Sequence, residues 1–350
     1  MTIESTSPMG FLSRASRIAG LAAGLVAALA IASGARAGAA SPTCSRTAKL
    51  MSKACSNDVA DNFYTAKAIC NNERKTSDEQ SCIDDAKSAR DEETQLCQDQ
   101  QDARLALCVA LDENRYDPKI DPNDFVSDFQ NPGTADPYQP LGIGDTWDYE
   151  SATETDHVEV SSDTKQIDGV TCIVVHDQVS EDGILIEDAD DWFALAKNGD
   201  VWYFGELSEQ FEVFDGDEPQ IPELVDIEGS FKAGREGAKP GILIPAMPVV
   251  GQTYRQEFAL GTAEDAATVL ATNYHFGDDP TLDELVPADL ANALCGDGCV
   301  VTKEFSPLEP DDFERKYYAP GIGVFLETDP STGEVNRLVG CSFDPRCDSL

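Results

Sequence analysis

Basic residues are scarce in this chain: 25 Lys and Arg stand against 65 Asp and Glu, a formal net charge of −40. Nucleic acid is bound by Lys and Arg that displace counterions at each phosphate, and an anionic membrane surface attracts the same side chains. The deficit excludes both partners. Histidine is limited to His157, His176 and His275, and no HExxH, GxSxG or paired CxxC pattern occurs. No catalytic residue is assigned. Beyond the first forty residues no apolar run approaches the roughly 20 residues that span a bilayer. Aromatics are not scarce: 15 Phe, 9 Tyr and 3 Trp exclude a solvated, coreless chain.

The N-terminus reads as an address. Arg14 and Arg17 precede the apolar stretch Ile18–Ser33, and Ala35-Arg36-Ala37 supplies the small-x-small pattern of a cleavage site. Residues 1–37 are therefore expected to be a signal peptide, and the mature chain to be periplasmic or extracellular. In an oxidising compartment the 11 cysteines are disulfide candidates before they are metal ligands.

Six of them form a pattern. Cys44, Cys55, Cys70, Cys82, Cys97 and Cys108 are spaced 11, 15, 12, 15 and 11 residues apart, a palindrome centred on residue 76. Steps of 11 and 15 are close to whole numbers of helical turns, so each set of three falls on one stripe. Pairing outward from the centre gives Cys70–Cys82, Cys55–Cys97 and Cys44–Cys108. This is the connectivity that keeps three level rungs between two antiparallel helices over residues 38–114. Ser41-Pro42 is a cap signal for the first helix, Thr76 with Glu79 a capping box for the second, and Asn71 and Asn72 are left-handed closers.

Residues 115–140 carry Pro118, Pro122, Pro132, Pro137 and Pro140 among Asp and Asn, and are expected to be a linker. The acidity lies beyond the helices, since residues 115–350 hold 13 basic and 50 acidic side chains. Residues 141–350 read as antiparallel strands: 147–152, 158–166, 170–179, 184–195, 201–213, 241–245, 254–260, 267–273, 300–305, 314–326 and 335–343, with a short helix over 282–294. Asp168-Gly169 and Asn198-Gly199 are two-residue hairpin turns. The fold class is α+β in two modules: a disulfide-linked antiparallel α-hairpin, then an all-antiparallel β-domain forming a curved sheet, barrel or sandwich.

Within that domain, Gly144–Trp147, Gly169–Asp177, Asp191–Glu206, Ile242–Phe258, Thr302–Pro310 and Lys316–Glu327 resemble, in order, blocks of an uncharacterised family of exported bacterial antiparallel β-domains, over about residues 138–340. The resemblance implies an extracytoplasmic module and no particular activity.

Candidate chemistry is sparse. Hairpin arithmetic about Asp168-Gly169 sets His157 opposite Ser180 and His176 opposite Ser161. The two imidazoles then lie about 13 Å apart at strand rise, too far to share an ion. The acid clusters offer Glu187, Asp188, Asp190, Asp191, Asp215 and Asp217 as calcium candidates, although none fits a calcium-loop spacing. No other cofactor is expected. Pairing about Asn198-Gly199 sets Phe193 opposite Phe204 and Leu195 opposite Trp202. Trp192, Trp202 and Phe204 are thus core residues or, if the sheet curls, the wall of a ligand pocket. Cys295 with Cys299 and Cys341 with Cys347 close small loops, cross-pairing of the four being the alternative. Cys172 is left as a buried thiol.

The function expected is an exported, non-catalytic protein that binds a ligand or protein partner. The alternatives are a periplasmic carrier of a hydrophobic molecule or lipid and, third, a hydrolase without a recognisable motif.

Overall fold

The structure is a computed structural model that describes residues 42–350. The expected signal peptide lies outside those residues. The described chain divides into two compact units, one ending at Tyr116 and one running from Asp117 to Leu350.

The first unit is a hairpin of α1 (Thr43–Cys70) and α2 (Thr76–Ala110). Its fully buried apolar side chains are few: Ala48, Val59, Ala86 and Leu107, with the sulfurs of Cys70, Cys97 and Cys108. Leu50, Tyr64, Ile69, Leu96 and Val109 stay exposed. Two helices without a third layer cannot enclose a core, and cross-links supply what burial does not. Cys44–Cys108, Cys55–Cys97 and Cys70–Cys82 are bridged, with Cα–Cα distances of 5.6, 5.7 and 5.5 Å, the level rungs expected from the palindrome.

The helix ends differ from expectation. Thr76 is the first residue of α2 and Lys75 its cap, without a side-chain cap bond. Asn71 is right-handed. The start of α1 is capped from the other arm: the Ser45 amide donates to Glu113 Oε2 at 3.0 Å and the Thr43 amide to the Glu113 carbonyl at 3.2 Å. A carboxylate there offsets the positive end of the helix dipole.

The second unit is one antiparallel sheet. Its strands are β1 (Thr146–Glu150), β2 (Glu154–Ile167), β3 (Val170–Glu181), β4 (Ile184–Leu195), β5 (Val201–Glu212), β6 (Glu223–Asp226), β7 (Phe231–Lys232) and β8 (Lys239–Ile244). There follow β9 (Thr253–Arg255), β10 (Glu257–Phe258), β11 (Ala266–Tyr274), β12 (Cys299–Phe305), β13 (Glu314–Ala319), β14 (Gly323–Thr328) and β15 (Val335–Cys341). A short helix, α3 (Ala288–Leu294), precedes β12. The run expected as one strand over 314–326 is a hairpin of β13 and β14, turned by Gly321 at φ 78°.

Neighbours run β10-β8-β5-β4-β3-β2-β1-β15-β14-β13-β12-β11-β9, with β6 and β7 also on β5. The two ends of this path belong to one continuous segment, β9 and β10 being separated only by Gln256. The Gln256 amide donates to the Asp265 carbonyl at 2.8 Å, and its Nε2 to the Leu243 carbonyl at 3.2 Å. The sheet is thereby nearly closed into a barrel, which disposes of most of its edges. Gly241 makes the closure sterically feasible, because a Cβ there would lie 2.1 Å from the Gln256 carbonyl oxygen.

The inner face carries the main core, including Trp147, Tyr149, Val158, Val175, Phe193, Tyr203, Tyr317 and Phe325. A smaller core lies on the outer face of β2–β5: Ile167, Cys172, Val174, Trp192 and Phe204 beneath Phe125. Phe125 comes from the segment expected to be a linker. The Val126 amide donates to the Leu195 carbonyl at 2.8 Å and the Lys197 amide to the Asp124 carbonyl at 2.8 Å, while Val126 and Phe129 enter the main core. From Asp117 onward the segment belongs to the sheet unit. The expected linker carries a single 3-10 turn, Pro122–Asp124, and three well-placed apolar residues, Phe125, Val126 and Phe129, dock it on the sheet.

Candidate functional site

Two regions gather polar side chains: the inside of the barrel and the outer face of β2–β5. The inside is largely filled. Its cavity holds about 30 Å³ between Trp147, Tyr149, Val158, Val175, Asp191, Phe193, Tyr203, Lys316 and Tyr318, room for a water or two and no more.

The barrel interior is acidic. Asp156, Asp177, Glu187, Asp191, Glu206, Glu257, Asp265 and Glu304 are buried, and Glu327 is half-buried beside Lys316. Lys316 Nζ lies 2.9 Å from Glu327 and 3.8 Å from Glu304. Burial alone would push its ammonium down, but Glu327, Glu304 and Glu314 hold it up. One ammonium cannot offset three carboxylates, and burial together with Glu327 raises Glu314 well above the usual range, so Glu314 keeps its proton.

Asp156 and Asp177 are buried side by side, and burial together with the neighbouring Asp156 raises Asp177 well above the usual carboxylate range. Burial also pushes Asp136 up to about 7, Asp191 to about 7 and Asp265 to about 6. The Asp191 carboxylate accepts a short hydrogen bond from Tyr203, which restrains its shift. This interior is a store of protons, not an open site.

The outer face is different. A bulge in β2 between Val160 and Thr164 adds two residues against β3. The Asp163 amide donates to Ser161 Oγ at 3.0 Å, folding the extra residues into a local turn. Pairing below the bulge therefore departs from simple hairpin arithmetic. His157 stands opposite Gln178 and Glu159 opposite His176, so the imidazoles are diagonal neighbours, two residues apart along the strands instead of four. Two rows then cross four strands: His157–Gln178–Asp188–Glu209 and Glu159–His176–Asp190–Leu207.

These rows floor an open groove of about 420 Å³. Asp148, paired with His157 from β1, extends the first row. His157 Nδ1 is 2.7 Å from Asp148 Oδ1, and His176 Nδ1 is 2.6 Å from Asp190 Oδ1. Gln178 Nε2 donates to Asp188 Oδ2 at 3.3 Å. Five carboxylates and two imidazoles thus converge, and among the described residues no Lys or Arg lines the groove.

No family model matches the chain, and no curated protein or solved structure matches it. The geometry stands by itself.

Strand alternation separates the calcium candidates. Glu187 and Asp191 face the barrel interior, Asp188 and Asp190 the groove, and Asp215 and Asp217 lie in an exposed loop after β5. Among the described residues no three His, Cys, Asp or Glu side chains close round one point as a ready metal cage. Trp192, Trp202 and Phe204 pack in the outer core, away from the interior cavity. The reason is one residue of register. The turn after β4 is a three-residue loop closed by the Ala196 amide on the Asp200 carbonyl, so Phe193 pairs with Tyr203 and Ala194 with Trp202. A slip of one residue exchanges the two faces.

Cys172 is the free cysteine, buried in the outer core, where burial pushes its thiol up to about 12 and leaves it inert. Cys295–Cys299 and Cys341–Cys347 are bridged, which settles the alternative pairings. His275 lies 3.6 Å from Asp278, apart from the groove. Asp148, Glu159, Gln178, Leu207 and Glu209 escaped the sequence reading. Their signal is the period-two spacing His157-x-Glu159, His176-x-Gln178, Asp188-x-Asp190 and Leu207-x-Glu209, which becomes a site only once the bulge sets the register.

Proposed function

We propose that the protein is an exported, non-catalytic binding protein whose sheet unit presents the groove on β2–β5 to a positively charged ligand or protein segment. The observation that carries this reading is the groove's composition: five carboxylates and two imidazoles over one open concavity, with no Lys or Arg among the described residues that line it. Such a surface focuses a negative potential and favours cations. Five disulfides accord with an oxidising compartment, and the apolar stretch Ile18–Ser33 with its cleavage pattern supports export. Among the described residues no helix is long and apolar enough to cross a membrane.

The carrier reading has less support, since ligand pockets for small organic molecules run to roughly 300–1,000 Å³ and the interior cavity holds about 30 Å³. A hydrolytic reading would need a nucleophile beside His157 or His176, and among the described residues the hydrogen-bonding partner of each imidazole is its aspartate.

The test is calorimetric titration of the full chain with an oligolysine peptide at low and high salt, beside a D188N/E209Q variant. Saturable, salt-sensitive binding weakened by the double substitution is expected. Equal affinity in the variant would overturn the assignment of the groove.

A further inference from the structure

The groove has an internal symmetry that its acidity alone does not explain. Asp148 on β1 holds Nδ1 of His157 on β2, and Asp190 on β4 holds Nδ1 of His176 on β3. The carboxylates thus lie on the outer strands and the imidazoles on the inner pair. The two nitrogens of an imidazole point to nearly opposite edges of the ring. Fixing each Nδ1 outward therefore turns each Nε2 inward, toward the space between β2 and β3. His157 and His176 are diagonal neighbours across that space, within reach of one another. Among the described residues neither Nε2 has a hydrogen-bonding partner. Both side chains are about half exposed, at 48% and 43%, and open on the groove.

We infer that His157 and His176 bind one divalent transition-metal ion, of the zinc or copper(II) class, through their Nε2 atoms. An aspartate on Nδ1 is the second-shell arrangement that fixes the tautomer and ring orientation of a metal-binding histidine and raises its basicity. Neutral imidazole suits zinc, copper and nickel, whereas calcium takes oxygen ligands. Two protein nitrogens leave the remaining positions to water or to a ligand entering the groove, so the site is open and exchangeable, not a closed structural cage. The inference rests on the reading of this groove as a surface for cations, and names the cation.

The test uses the untagged full chain, stripped with EDTA and titrated with zinc chloride, with calcium chloride as control. Native mass spectrometry and calorimetry are expected to give one zinc per chain in the wild type and in H275Q, none in the H157Q/H176Q double variant, and no comparable uptake of calcium. D148N leaves both ligands in place and is expected to weaken zinc by roughly 10–100-fold, the usual effect of losing a second-shell partner. A purely structural His–Asp pair predicts no such change.

A measurement without variants is the imidazole nitrogen NMR spectrum of the wild type. Zinc is expected to shift Nε2 of His157 and His176 and to leave His275 unmoved. Unshifted His157 and His176, or equal zinc uptake by the double variant, would overturn the inference. If oligolysine still binds in that case, only the metal assignment falls. If neither zinc nor oligolysine binds, the reading of the groove falls with it.

Discussion

The two units of this chain meet acidity and instability in opposite ways. The helical hairpin leaves its carboxylates in water and its apolar side chains half-used, and is held by three disulfides closing separations of 64, 42 and 12 residues. The sheet unit has a continuous core and folds carboxyls into it. Its own two disulfides span only 4 and 6 residues and tighten local turns. Covalent constraint raises the free energy of the unfolded chain, whereas burial lowers that of the folded one. The units should therefore fail under different stresses.

Reduction is expected to have the largest effect. Each long-range bridge contributes roughly 2–4 kcal/mol, and the hairpin has little else. Dithiothreitol should abolish most of the helical signal at 222 nm while the near-ultraviolet signal of the sheet's aromatics persists. Survival of the helices after complete reduction would show that α1 and α2 bury more than the structure gives them.

Alkaline titration should act on the other unit. In the folded sheet Asp136, Asp191 and Asp265 titrate at about 7, 7 and 6, all raised first by burial, against about 4 when unfolded. Between those values the folded state holds more protons than the unfolded one. The stability that these three groups contribute is thus complete below about pH 4 and is lost as pH rises through 6 to 7. Urea melts at pH 5 and pH 8 should differ by several kcal/mol in favour of pH 5. The hairpin carries the opposite sign on a small scale: hydrogen bonds from Ser45 lower the Glu113 carboxyl, an advantage present above pH 4 and lost on acidification. A sheet more stable at pH 8 would mean that the interior acids are compensated by a bound cation.

Lys316→Met removes the ammonium from Glu327 and Glu304. Breaking a buried pair costs about 3–5 kcal/mol, and that loss is expected in chemical denaturation at pH 7.5. It should shrink near pH 4.5, where Glu327, whose carboxyl burial raises, takes up a proton. The hairpin should not respond at either pH.

Phe125→Ala is the smallest of these changes, at about 3 kcal/mol. It empties the lid over Trp202 and Phe204, whose ring centroids lie 6.1 and 5.8 Å from that of Phe125. Amide exchange should rise over residues 117–130 and in β5, and not in α1 or α2. Unchanged protection there would return the segment to the status of a free linker.

Much of this architecture was legible beforehand. The cysteine palindrome identified both helices and all three rungs, because a disulfide needs Cα atoms about 5.5 Å apart and only one pairing sustains that along two helices. The Asp168-Gly169 turn was equally plain, its residues at φ 48° and 82° doing what that dipeptide does best. The groove was half-legible. Its polar residues alternate visibly along each strand, but the two extra residues in β2 moved His157 from Ser180 to Gln178, and no local propensity specifies a bulge of that size.

Local chemistry by itself determined the covalent frame of the hairpin, its two helices and most of the strands, since each depends on spacing within a few residues or on cysteine geometry. Only the tertiary structure decided the register of β2 on β3 and of β4 on β5, the near-closure through Gln256 and the docking of Phe125, Val126 and Phe129 on the sheet. It also decided which acids keep their protons inside and which face the groove. The physical reason is that a strand has two faces and a carboxyl two charge states. Neither choice is made until the neighbouring strand, and the water it excludes, is in place.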